Sequence, residues 1–135
     1  MQHFLTILLF FLVISCSKSI EKPAVTIGFH SKQTFQINEV VNKLMNEPDV
    51  KVMKLMAEGV EATRAISCDA VGEECNVYYE FINKVVDLTA DGDLSIKDRE
   101  LLESIKNRLK VEIEKSNLKI QKEWKEYINA ESRVN

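Results

Sequence analysis

Apolar residues along this chain gather in five stretches, parted by polar or breaker-rich segments. The first, FLTILLFFLVI at residues 4–14, is nearly continuous, with only Thr6 interrupting it. Residues 17–33 carry Pro23 and Gly28 and keep no sustained period. Residues 24–29 are apolar enough for a short strand but have no strand to pair with, so 16–33 reads as a tether. From residue 34 the period becomes helical. Phe35, Ile37, Val40, Val41, Leu44 and Met45 define an inward face, Thr34 is a candidate cap, and Pro48 ends the helix because the residue before proline avoids the α region. A second helix is expected over 49–67, with Val52, Met53, Leu55, Met56, Val60, Ala62, Ala65 and Ile66 inward; Gly59 weakens it by about 1 kcal/mol relative to alanine. A third is expected over 74–86, with Val77, Tyr78, Phe81, Ile82, Val85 and Val86 inward. The fourth starts at residue 95 or 96 and continues to about 130, on Leu101, Leu102, Ile105, Leu109, Ile113, Ile120, Trp124 and Ile128. Such a helix would be about 50 Å long, more than its neighbours can cover. It should break at Ser116-Asn117, project its C-terminal half with Trp124, Tyr127 and Ile128 as a partner surface, or lay that half on the first helix. The fold class is therefore all-α, a small four-helix domain over residues 34–135.

The opening stretch has its own meaning. A membrane-crossing helix needs roughly 20 apolar residues, and residues 4–14 supply about half, which suits the apolar region of an export signal. The run ends at Val13-Ile14-Ser15-Cys16, followed by Ser17-Lys18-Ser19. Modest side chains before a cysteine resemble the bacterial lipobox, although Val13 stands where leucine is usual and no Lys or Arg precedes the apolar run. The resemblance implies a signal peptide over 1–15, diacylation of Cys16 as the new N-terminus, and a membrane-bound lipoprotein. With Ser17 next to the cysteine, it further implies the outer membrane, facing the periplasm. Ordinary cleavage near Ser15 or Ser17, giving a secreted or periplasmic protein, and an uncleaved anchor are the alternatives.

Cysteine number bears on the same question. There are three, an odd count for an exported chain. Cys68 and Cys75 bracket DAVGEE, where Gly72 helps the chain turn back. A Cys68–Cys75 disulfide is expected in an oxidising compartment, stabilising by roughly 2–3 kcal/mol on loop-closure grounds, and it leaves Cys16 for acylation. A metal pair or catalytic thiol is the alternative, but His30 is the one histidine after residue 15 and lies far off in sequence.

Removing 1–15 leaves 120 of the 135 residues and no change in the formal charge of −3. That size suits one domain. A mildly acidic chain with interspersed signs has no nucleic-acid footprint, and the late lysines, interleaved with glutamates, read as a solvated helix face. Met45, Met53 and Met56 fall at helical spacing and read as core, not as a soft-metal site.

One segment carries recognisable chemistry. Between the third and fourth helices stands DLTADGDLSIKD, residues 87–98. Its oxygen-bearing residues alternate around a glycine, and this spacing resembles the calcium loop of the EF-hand family. The resemblance implies calcium held by the side chains of Asp87, Thr89, Asp91, Ser95 and Asp98 and by the backbone carbonyl of Asp93. Gly92 would supply the sharp bend and Leu94 would point into the core. Ser95 and Asp98 also form a capping box that opens the last helix. Thr89 stands where Asp or Asn is usual, Asp98 where a bidentate Glu is usual, and no second loop follows. Affinity should then lie in the roughly 10⁻⁴–10⁻³ M range of extracellular modules.

No Ser–His or Cys–His machinery is discernible, and no enzyme is expected. The sequence thus points to a lipid-anchored helical interaction protein with a weak structural calcium site and a protein partner. The alternative is a calcium-independent lipoprotein that chaperones or regulates a secretion or phage lysis or exclusion component, similar to pilotins and phage-encoded regulators.

Overall fold

The fold comes from a computed structural model that describes residues 23–63 and 72–134, with side chains from residue 28 onward. Four helices make up the described residues, with no strand among them: α1 Pro23–Asn46, α2 Val50–Thr63, α3 Glu74–Leu88 and α4 Ile96–Val134. The expected all-α class is therefore the observed one. The expected signal segment, Cys16 and the Cys68 side of the expected disulfide lie outside the described residues.

Local chemistry sets most helix ends. Pro23 opens α1 at the position where a missing N–H costs nothing, and Pro48 follows its end. Asp49 caps α2: its Oδ1 accepts from Lys51 N at 2.9 Å and from Val52 N at 3.4 Å. Thr89 closes α3, its N–H donating to the Val85 carbonyl at 3.0 Å. The expected capping box opens α4, with Ser95 Oγ accepting from Asp98 N at 3.1 Å and Asp98 Oδ2 accepting from Ser95 N at 3.0 Å.

The long α4 is the spine. It packs along α3 and α1, α2 packs on α3, and α1 and α2 barely touch. Its partners run antiparallel to it. Glu74 and Glu80 of α3 meet Ser116 and Arg108 of α4, and His30 of α1 meets Asn117. Further along, Asn38, Val41 and Asn42 of α1 line a shallow groove with Lys106, Leu109 and Lys110 of α4. The core comprises Ile37, Val41 and Leu44, then Met53 and Ala57, then Val77, Tyr78, Phe81, Ile82 and Val85. Leu94 and the α4 stripe Leu102, Ile105, Leu109 and Ile113 complete it.

Three expectations are corrected. Residues 23–33 are not tether but the first turns of α1, and neither a strand at 24–29 nor a helix start at Thr34 forms. The reason is that His30 and Gln33 are buried and continue the face Ile37, Val41, Leu44 by steps of three and four. A polar inward face carries no hydrophobic period to read. For the same reason Phe35 is not inward but 68% exposed, nearly half a turn away from that face. Val52, Leu55 and Leu101 are likewise exposed, because Met53 and Ala57 set the α2 face and Leu102 and Ile105 the α4 face. Finally, α4 does not break at Ser116-Asn117. It runs for 39 residues, about 58 Å, since those two side chains bond across to α3 and α1 instead of competing for their own backbone.

Tyr78 is fully buried, and its hydroxyl finds no hydrogen-bond partner among the described residues. Burial, reinforced by the neighbouring Tyr79, pushes its pKa from 10.0 up to about 12. The folded state thus holds the phenol proton more tightly than the unfolded chain does. Stability should therefore fall as pH rises past 10, through the window up to about 12. In urea unfolding followed against pH, Tyr78→Phe is expected to lessen that alkaline loss. At neutral pH it is expected to stabilise by about 1 kcal/mol, because an unpaired buried hydroxyl disappears. A destabilised variant would mean that the hydroxyl is bonded.

Candidate functional site

Polar side chains concentrate in two places, at opposite ends of α3. At its C-terminal end lies the acidic segment 87–98. Asp87 still belongs to α3, and Thr89 is buried, its Oγ1 donating back to the Val85 carbonyl at 2.7 Å. The Gly92 N–H donates to the Thr89 carbonyl at 3.0 Å, and Gly92 takes the left-handed conformation, φ 81°, as a sharp bend requires. Leu94 points into the core. In these respects the segment has the frame expected of a calcium loop.

Its oxygen atoms are disposed otherwise. Asp91 Oδ1 accepts from Asp93 N at 3.2 Å, and Asp93 Oδ1 accepts from Leu94 N at 2.8 Å. Ser95 and Asp98 spend their inner oxygens on the capping box. Among the described residues, no three His, Cys, Asp or Glu side chains gather closely enough to hold a metal ion. The side chains of Thr89, Asp91, Asp93, Ser95 and Asp98 each make a hydrogen bond to the protein within the turn.

The second concentration is at the N-terminal end of α3 and was not legible as a site. Glu74, in the first turn of α3, is completely buried. Its Oε2 accepts from Ser116 Oγ at 2.6 Å, and its Oε1 lies 4.0 Å from His30 Nδ1. His30 Nε2 is 2.8 Å from Asn117 Oδ1 and 3.4 Å from Thr34 Oγ1. Alongside, Gln33 Nε2 donates to Cys75 Sγ at 3.6 Å. Cys75 is buried. Three helices thus meet on one carboxylate. Being at a helix start, Glu74 also sits where the macrodipole favours negative charge.

Gly72 belongs to this cluster in a way the sequence did not suggest. A Cβ there would fall 2.7 Å from Ser116 Oγ and 3.1 Å from Glu74 Oε2. The glycine makes room for the Ser116–Glu74 bond, a role beyond the turn expected of it. His30, read as a tether residue remote from any chemistry, stands beside Glu74. Only one cue was available in sequence: a glutamate directly beside a cysteine at a helix start, with Ser and Asn inside a long helix where an apolar residue was due.

Chemically the cluster is a clamp. The hydroxyl and imidazole are packed among helices, with Ser116 and His30 on opposite sides of the carboxylate. Removing one partner of a buried charged hydrogen bond leaves the other unsatisfied. In a double-mutant cycle of Glu74→Ala and Ser116→Ala by urea unfolding, the coupling is expected at about 1.5–3 kcal/mol. Additive losses would contradict the bond. No family model, curated protein or solved structure matches this chain.

Proposed function

We propose that this chain is a lipid-tethered helical interaction protein of the cell envelope, bound to a membrane through acylated Cys16 and presenting its helical bundle to a protein partner. One observation carries the interaction part of this reading. The polar groups that could do chemistry are spent on holding helices together, while large apolar side chains stand outside. Phe35 on α1 and Leu55 on α2 are each about two-thirds exposed, and exposed apolar groups are the raw material of interfaces. The anchor part is supported by the sequence 13–16 and by the cysteine count. Among the described residues no helix is long and apolar enough to cross a membrane, so attachment would rest on the N-terminal segment. A Cys68–Cys75 disulfide would fix the start of α3 and with it the Glu74 clamp.

The calcium reading is kept as a second one because Gly92 and Leu94 supply the right frame. It requires Thr89 Oγ1 to turn from the Val85 carbonyl toward the ion.

Mass spectrometry of the full chain purified from bacterial membranes should find a diacylated Cys16 as the first residue. Cys16→Ser should release the protein from membranes. An unmodified Cys16, or a chain that starts elsewhere, contradicts the anchor. Millimolar calcium should leave the Tm of the wild-type chain unchanged. A rise that Asp87→Ala abolishes would establish the calcium site instead.

A further inference from the structure

The inward stripe of α4 does not stop where the bundle does. Leu102, Ile105, Leu109, Ile113, Ser116 and Ile120 are buried, and the same spacing continues to Trp124 and Tyr127. These two rings stack with centroids 5.9 Å apart and an interplanar angle of 20°. By that level α4 has lost a wall, because α3 begins at Glu74, beside Ser116. Both aromatic residues are only half-buried, and Ile128 next to them is 46% exposed.

Register says what lies near this face. His30 meets Asn117, so continuing the antiparallel pair brings Pro23, the first residue of α1, level with Trp124. Val134 then lies about 15 Å further along the axis. The chain from Cys16 to Pro23 can span at most about 25 Å. An anchor at Cys16 therefore holds this end of the bundle close to the lipid, with the 87–98 turn at the far end.

We propose that residues 118–134 of α4 seat the Trp124–Tyr127–Ile128 face in the headgroup interface of the membrane that carries Cys16. Trp and Tyr favour that layer because their rings are apolar and their N–H and O–H groups remain hydrated. The segment holds four cationic and three anionic side chains, so it has little electrostatic pull of its own and needs no anionic lipid. The contact rests on the acyl anchor, which supplies the proximity. Two weak membrane signals together hold where either alone is marginal.

Trp124 is the only tryptophan in the chain, so its fluorescence reports the contact directly. The acylated full chain is placed on phosphatidylcholine vesicles, with and without lipid brominated near the headgroup, and flotation is scored in parallel. Floating protein whose Trp124 emission drops at least about two-fold with brominated lipid is the expected result. The double variant Tyr127→Ala/Ile128→Ser should still float but lose most of that quenching. Floating protein with unquenched Trp124 overturns the proposal and leaves the anchor standing, as does quenching that the double variant leaves unchanged. Protection of Trp124 from iodide that grows with protein concentration, without lipid quenching, would assign the face to a second copy and also overturns it. Acylated chain that fails to float removes the anchor reading and this proposal together.

Discussion

The bundle depends on a carboxylate buried among three helices. Taking Glu74 out of water is costly unless its oxygens are bonded, and the chain meets that cost from several sources at once. Ser116 of α4 donates to one oxygen and the α3 N-terminus lends its positive end, while His30 Nδ1 of α1 lies 4.0 Å from the other oxygen, too far for a hydrogen bond. The Ser116–Glu74 bond requires α3 and α4 to be in register, and the His30–Asn117 bond sets α1 against them. A purely apolar contact at this level would tolerate sliding or rotation of α1 on α4; a hydrogen-bonded one does not. The 39-residue α4 is thereby divided functionally at Ser116-Asn117: before that point it faces a closed core, and after it, among the described residues, α1 alone runs beside it.

How much of this was legible follows from what each helix buries. Where the inward face is apolar, the period is visible and the helix was found, as in α3 and in the first half of α4. Where the inward face is polar, the period vanishes. His30 and Gln33 continue the Ile37–Val41–Leu44 face, yet they read as linker because burial of a polar group depends on a partner remote in sequence. Ser116 and Asn117 were ambiguous for the same reason: alone they weaken a helix, but bonded across it they become its docking points. The apolar stretches also over-promised. Phe35 and Leu55 fit a helical period read one residue at a time, but packing selects one face per helix, and they are not on it.

The acidic turn teaches the converse. Its glycine, its inward leucine and its Ser95–Asp98 capping box were all readable, because each is a local requirement of the backbone. Whether alternating carboxylates converge on an ion is a three-dimensional matter. Here Thr89 turns into the end of α3 and the aspartates brace neighbouring N–H groups. A helix–turn–helix with the spacing of a calcium loop thus also uses several of those oxygens as caps. With that turn at one end of the bundle and the path to Cys16 at the other, the molecule has a polarity that any account of its partners must respect.

The account stands most directly on whether residues 28–34 are docked helix because of Glu74. Native-state amide hydrogen exchange of the wild-type chain and of Glu74→Ala measures this residue by residue. The structure predicts strong protection at His30 through Thr34 in the wild type, and its loss in the variant while Ile37 through Leu44 stay protected. Amides at 30–34 that exchange freely in the wild type, as a solvated linker would, contradict it.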